Sequence, residues 1–254
     1  MYDEAAEIIR NARRVTAFTG AGISVESGIP PFRGEEGLWS RYDPTCLDIT
    51  YFNARPEEAW VVIREIFYDF FGRAKANLAH RGLAVMEAND LLHTVITQNI
   101  DNLHQEGGSR EVWEFHGTAQ QLVCAACGQD YHVSEVDLKD LPPRCGRCEH
   151  VLKPDFVFFG EPIPERVHSR SLYEAQTSDV FLVIGTTGEV TPASLIPPLA
   201  KRHGAHIIEI NPEPSAFTDT ITDVFLQAKA TEAVAGLLQA LGLECDDDAT
   251  RSDQ

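Results

Sequence analysis

No stretch of this chain approaches the roughly 18 consecutive apolar residues that a membrane-spanning helix requires. That argues against an integral membrane protein. The first ten residues form an acidic amphipathic segment and lack the basic start and apolar run of a secretory signal, so the expected location is the cytoplasm. Positive charge is scarce: 21 Lys and Arg stand against 39 Asp and Glu, a formal net charge of −18. Such a surface repels nucleic acid and anionic lipid, and no basic patch with interleaved aromatics relieves it. Neither nucleic acid nor membrane is therefore an expected partner. The same charge attracts basic polypeptides, such as lysine-rich segments, or does no more than keep the chain in solution. Internal repeats and low-complexity linkers are also missing. The last residues, 244–254, carry Asp246, Asp247 and Asp248 without an apolar run and are expected to be a disordered acidic tail.

What is present is ordinary in bulk: 254 residues, 43% apolar and 24% charged. This suffices for one large domain, or one large and one small, around a sizeable core. Short apolar runs ending in turns recur at residues 15–19, 94–97, 180–184 and 206–210, and each reads as a buried strand. Helical stretches are predicted over 3–11, 56–72, 165–177, 193–202 and 231–241. Strands alternating with helices imply a parallel sheet covered on both faces, with ligands beyond the strands' carboxyl ends. The segment 119–153 is polar, short-run and cysteine-bearing, and reads as a small inserted module. The expected division is thus 1–118 with 154–243 as a Rossmann-like α/β domain, and 119–153 as the small domain.

Several strand ends carry polar or glycine-rich motifs. Gly20-Ala21-Gly22-Ile23-Ser24 follows the first strand, where glycines let a backbone approach a pyrophosphate; the third glycine of the usual fingerprint is absent, and a plain tight turn fits equally. Ser27 to Arg33 then reads as a loop able to close over a ligand, presenting Phe32 and Arg33, an arginine suited to a phosphate. Thr97-Gln98-Asn99-Ile100-Asp101-Asn102-Leu103-His104 follows another strand and places three amide or carboxylate side chains, Gln98, Asn99 and Asp101, where burial is costly unless they are used. They suit a carboxamide ligand, or cap a helix. His116, ending an apolar run before Gly117, is a candidate general base or a structural histidine. Gly185-Thr186-Thr187-Gly188 and Asn211-Pro212-Glu213 could reach the adenosine half of a dinucleotide. Cys124-x-x-Cys127 and Cys145-x-x-Cys148, seventeen residues apart, have the spacing of a closed, four-thiolate zinc site. With no open coordination position, that zinc would be structural.

Together and in this order, these motifs resemble the sirtuins of prokaryotic type, the NAD-dependent protein deacylases. Phe159-Gly160-Glu161 and Gly185-Thr186 add to the match, which spans about residues 5–241. The resemblance implies a Rossmann-like domain and a zinc ribbon, with NAD+ and an acylated lysine of a protein or peptide meeting in the cleft between them. Gly20, Ala21, Gly22, Ser24, Phe32, Arg33 and Trp39 would belong to the cofactor cradle and its loop. Asn99 and Asp101 would hold the nicotinamide carboxamide, with Ile100 beside them, and Gln98 would touch the ribose. Gly185, Thr186, Thr187, Asn211, Pro212, Glu213 and Ala230 would hold the adenosine part. His116 would act as general base, with Asn99 and Asp101 its catalytic companions. Val157, Phe159 and Gly160, facing Glu189 and Val190, would clamp the peptide as an added strand.

The implied products are nicotinamide, O-acyl-ADP-ribose and free lysine. Relatives that prefer succinyl or malonyl groups carry Tyr-x-x-Arg where this chain has Ile63 and Ile66, so acetyl or longer apolar acyl groups are expected. Glu189 either favours basic residues around the target lysine or is a solvated loop carboxylate. The competing readings are a protein ADP-ribosyltransferase using the same site and, in a different class, a zinc-ribbon nucleic-acid-binding module. A monomer is expected.

Overall fold

The computed structural model describes residues 1–32 and 37–245, without the side chain of Phe70. Expectations placed on Arg33 and on residues 246–254 of the tail therefore lie outside the described residues. The strands are β1 (Val15–Thr19), β2 (Thr94–Thr97), β3 (Val112–Glu114), β4 (Gly117–Cys124), β5 (Asp130–His132), β6 (Leu152–Phe156), β7 (Val180–Ile184), β8 (His206–Asn211) and β9 (Val224–Gln227). Six of them form one wholly parallel sheet in the order β3-β2-β1-β7-β8-β9. β1 and β7 lie at its centre and are buried at every residue, as their unbroken apolar runs require.

The helices are α1 (Tyr2–Asn11), α2 (Ile49–Ala54), α3 (Pro56–Ile63), α4 (Leu78–Ala88), α5 (Leu103–Glu106), α6 (Glu165–Thr177), α7 (Ile196–Arg202) and α8 (Ala230–Leu241). Side chains alternate across the sheet. Val15 and Ala17 of β1 join a core with Ile9 of α1, Leu83 of α4 and Val234 of α8. Phe18 points the other way, into a core with Ala175 of α6 and Ala200 of α7. Two predicted helices differ in detail. The stretch 56–72 is α up to Ile63, then widens into a π-turn over Arg64–Phe70. The stretch 193–202 opens with a 3₁₀ turn, Ala193–Leu195, because Pro197 and Pro198 lack amide protons and fit only the first turn of α7.

The chain moves outward along β1, β2 and β3, then crosses back to β7 and moves outward the other way. The switch point is therefore between β1 and β7, where open α/β sheets place their ligands. Among the described residues no helix is long and apolar enough to cross a membrane.

A second, antiparallel sheet has the order β5-β4-β6. It does not stand on its own core. Leu122 and Leu152 of this sheet share one apolar cluster with Phe52 of α2, Trp60 and Ile63 of α3, and Ile66 and Phe67 of the π-turn. Trp60, fully buried, donates its indole N–H to the carbonyl of Leu152 at 2.8 Å. The segment between β1 and β2 thus packs on the cysteine-bearing sheet.

Candidate active site and metal centre

At the switch point the turns after β1 and β7 are pressed together. Gly20 N donates to Ile184 O at 2.9 Å, and Gly22 N to Gly185 O at 2.8 Å. A Cβ on Gly22 would lie 2.6 Å from Gly185 Cα, and Gly185 has φ of +63°. Only glycine fits such an approach and such a backbone. After Gly20 the chain forms a 3₁₀ helix, Ala21–Ser27, ending at Gly28 in the left-handed region.

Behind this turn lies one connected polar cluster. Ser24 Oγ donates to Asp101 Oδ2 at 2.7 Å and accepts from Asn99 Nδ2 at 3.1 Å. Asn99 Nδ2 also approaches Gly20 O at 3.2 Å. Burial raises the Asp101 carboxyl, and the Ser24 hydroxyl pulls it back. Gln98 Nε2 donates to Thr186 Oγ1 at 3.1 Å, joining the ends of β2 and β7. His116 sits at 2.9 Å from the Gln98 carbonyl through Nδ1. A carbonyl only accepts, so Nδ1 carries the proton and the neutral ring leaves Nε2 bare, the form of a base. Burial lowers the His116 imidazole below its usual value, and the bond to Gln98 opposes this.

Ile100 is nearly buried and its side chain belongs to the second apolar cluster, not to the polar one. Phe32 and Trp39 stand on either side of residues 33–36, with ring centroids 5.4 Å apart, and Trp39 lies 6.5 Å from Phe159. Trp39 thereby joins Phe32 to Phe159 of the Val157–Gly160 stretch. There Val157 N donates to the carbonyl of His116 itself at 2.8 Å. Phe159 is already paired through its backbone with Leu47 and Ile49, and its ring is half exposed.

On the far side of β7, Asn211 Nδ2 donates to Thr186 O at 3.0 Å and to Glu209 Oε1 at 3.1 Å. Thr187, Pro212 and Glu213 are exposed, and Ala230 opens α8 in a buried position. Glu189 and Val190 are exposed on the loop that follows Gly188.

Two further residues line this region: His80, which carries no signal in the sequence, and His104, which ends the Thr97–His104 motif without an assigned role. His80 is fully buried, with Nε2 3.4 Å from Ser24 Oγ, and His104 packs edge-on against it at 4.9 Å between centroids. Burial pushes His104 down to about 3 and lowers His80 as well, so both are neutral polar fillers behind the cluster. The one local cue is Asn77-x-x-His80, the spacing of a capping box at the start of α4.

The four paired cysteines converge. All four sulphurs lie within 4.8 Å of one another, with Cys124 and Cys148 3.5 Å apart and Cys127 and Cys145 3.6 Å apart. A disulfide would need about 2.05 Å. A tetrahedron with Zn–S of about 2.3 Å has edges of about 3.8 Å, so the donor set fits zinc. Each knuckle closes alike, Gly128 N on Cys124 O and Glu149 N on Cys145 O, both at 2.8 Å.

Residues 20–192 match the model of the Sir2 family. An NAD-dependent protein deacylase of Aeropyrum pernix is 44% identical, over 95% of this chain and 98% of its own length. The NAD-dependent protein deacylase 2 of Archaeoglobus fulgidus is 42% identical, over 94% and 96%. Among solved structures, a Sir2–p53 peptide–NAD+ complex superposes with a TM-score of 0.88 at 32% identity, covering 95% of this chain and 99% of that one. A variant Sir2 homologue bound to ADP-ribose gives 0.89 at 36%, covering 97% and 100%. Matched by the family model over residues 20–192 and 44% identical to a curated relative over 95% of its length, this chain belongs to the Sir2 family.

Proposed function

We propose that this chain is an NAD-dependent protein-lysine deacylase: it moves the acyl group of a modified lysine onto ADP-ribose, releasing nicotinamide, O-acyl-ADP-ribose and free lysine. The observation that carries the reading is the interlock at the end of β2, where Asn99, Ser24 and Asp101 form one buried cluster and Gln98 holds His116 in its basic tautomer. NAD+ supplies a glycosidic bond to a good leaving group and a ribose hydroxyl to be deprotonated.

The remaining work falls to the chain. Asn99 and Asp101 receive the nicotinamide carboxamide, one amide donor and one carboxylate acceptor already oriented through Ser24. The Gly20–Gly22 turn and Gly185–Thr186 admit the phosphates and ribose at close backbone range, and Asn211 holds the adenosine side. Arg33, Thr187, Pro212, Glu213 and Ala230 are assigned to the same dinucleotide by the family resemblance. Aligning the acyl oxygen with the ribose converts a weak nucleophile into a usable one. His116 Nε2 then takes the proton of a ribose hydroxyl. Val157, Phe159, Gly160, Glu189 and Val190 line the path of the peptide. Cys124, Cys127, Cys145 and Cys148 would hold a zinc that ties the β4–β6 sheet together and, saturated by thiolate, would activate no water. Four reduced thiols in metal geometry suit a reducing compartment, the cytoplasm.

Ile63 and Ile66 are almost fully buried among aromatic side chains. Arg64, between them, is turned away to Asp69 and the carbonyl of Leu138. A dicarboxylic acyl group would find no cation there, so acetyl and longer apolar acyl groups are the substrates. The test is nicotinamide release from NAD with acetyl-, succinyl- and myristoyl-lysine peptides. Release should require an acylated peptide and favour acetyl or myristoyl over succinyl. His116→Ala should lower turnover about 100- to 10,000-fold with zinc content unchanged. Because burial lowers the His116 imidazole, the acid limb of kcat/KM should lie below the ordinary histidine value. No nicotinamide release with any of these peptides sinks the reading.

A further inference from the structure

Lys153 is a buried lysine that none of the motifs above accounts for. Its side chain is only 10% exposed, and lysine is almost never found so deep without partners. Here it has a full set. Nζ donates to Pro154 O at 3.0 Å, to Phe156 O at 2.8 Å and to Glu161 Oε2 at 3.0 Å. An ammonium has three protons, and three acceptors meet them. Glu161 Oε2 in turn accepts the backbone N–H of Phe158 at 2.8 Å. The ammonium also lies 4.3 Å from the centroid of the Phe158 ring, a cation–π contact. Burial weakens the charge on Lys153, and Glu161 restores it.

These bonds staple the end of β6 to Glu161 and so close a ring of backbone around residues 154–161. Inside that ring, side chains alternate. Phe156 and Phe158 point inward, stacked 5.1 Å apart, with Phe52 edge-on to Phe158 at 5.2 Å. Phe159 points outward and is half exposed. A slip of one residue would turn Phe159 into the core and Phe158 out of it. The aromatic pattern alone does not prevent this, because both candidates for the inner position are phenylalanine. The Lys153–Glu161 staple does, since it holds the Phe156 carbonyl and the Phe158 amide individually.

We propose that Lys153 is a positioning residue for the acylated peptide: with Glu161 it sets the register in which Val157–Gly160 meets the substrate backbone. This deepens the deacylase reading and rests on it. A strand-like clamp binds through backbone groups at fixed spacing, so a staple that fixes the register acts on peptide affinity and leaves the dinucleotide side alone.

The test is steady-state kinetics of the zinc-loaded, full-length enzyme with an acetyl-lysine peptide and NAD, each varied in turn. Lys153→Met, close in length and apolar, should raise the peptide KM about tenfold or more. The NAD KM and the zinc content should stay within about twofold of wild type, and kcat should fall less than the peptide KM rises. Lys153→Arg, which keeps the donors, should recover most of the loss. An unmoved peptide KM in Lys153→Met overturns the proposal. So does a parallel rise in both KM values with loss of zinc, which would make the lysine merely structural. Should Lys153→Met not fold, Glu161→Gln carries the test, because its carbonyl oxygen can still accept from Phe158 N–H while the Lys153 ammonium loses its counter-charge; an unchanged peptide KM there also overturns the proposal. Wild-type enzyme inactive on every acylated peptide would instead refute the deacylase reading beneath it.

Discussion

Glu209 offers the sharpest stability test in the molecule. It lies in β8, is 0% exposed, and meets hydroxyl and amide groups. Its carboxylate accepts from Ser215 Oγ at 2.5 Å, from Thr218 Oγ1 at 3.1 and 3.0 Å, from Thr222 Oγ1 at 2.7 Å and from Asn211 Nδ2 at 3.1 Å. Three side chains of the loop between β8 and β9, with Asn211 at the end of β8, thus converge on one buried carboxylate. Glu209→Leu removes every acceptor. Asn211 keeps Thr186 O and Thr222 keeps Phe217 O as alternatives, so two donors, Ser215 and Thr218, lose their partner outright. Hydrogen bonds to a charged group contribute about 1.5–3 kcal/mol each, a loss of about 3–6 kcal/mol. Relief of the buried charge and the added apolar burial of leucine offset about 1–2 kcal/mol of it. The net is about 1–5 kcal/mol. For a chain of this length each kcal/mol shifts Tm by about 2–4 °C, so Tm should fall by about 2–20 °C. Glu209→Gln, retaining one carbonyl oxygen, should lose about half as much. Differential scanning calorimetry of the zinc-loaded protein without NAD is the assay. A Glu209→Leu variant within about 1 °C of wild type would show that water, not this carboxylate, satisfies the loop.

Three further outcomes follow from the geometry. Burial is the largest cause pushing Glu114 up to about 7; a raised carboxyl stabilises the fold fully below its unfolded value and loses that contribution as pH rises through the folded one. Wild type should therefore lose stability relative to Glu114→Gln between about pH 4.5 and above pH 7, and urea midpoints that differ equally at about pH 5 and about pH 8 would refute the assignment. The Cys124, Cys127, Cys145 and Cys148 knot should hold one zinc per chain by elemental analysis; Cys145→Ser should lower both zinc occupancy and Tm, and a metal-free wild type of unchanged Tm would refute a structural role. Gly22→Ala drives a Cβ to 2.6 Å from Gly185 Cα, so the two turns must part. The NAD KM should rise about tenfold or more with zinc retained, and an unchanged NAD KM would show that the cradle tolerates the separation.

Much of the site was readable because its chemistry is carried by short local motifs. Gly20–Ser24, Gln98–Asp101, His116 and Gly185–Thr186 each follow a strand, and a parallel sheet gathers strand ends on one edge whatever the loops between them do. The histidine's role as base was a choice between two readings on sequence grounds. The Gln98 carbonyl on Nδ1 settled its tautomer, and that contact joins residues eighteen apart in sequence. His80 and Lys153 were invisible for the same reason in stronger form. A histidine in a helix and a lysine in a short strand are ordinary until burial shows what each touches.

By itself the sequence determined the parallel sheet, through apolar runs that must be buried on both faces, and singled out four cysteines as a candidate zinc site, through their paired spacing. It determined the chain's net charge as well, and it contains no apolar run of the length a membrane span requires. The tertiary structure alone decided that the segment of α2, α3 and the π-turn shares its core with the cysteine-bearing sheet, through Trp60 and the carbonyl of Leu152. It alone decided that Ser24 joins Asn99 to Asp101, and that Lys153 binds the stretch ending at Glu161. These are contacts between groups far apart along the chain or across a turn, made only after the entropy of bringing them together has been overcome by burial elsewhere, and no local pattern encodes them.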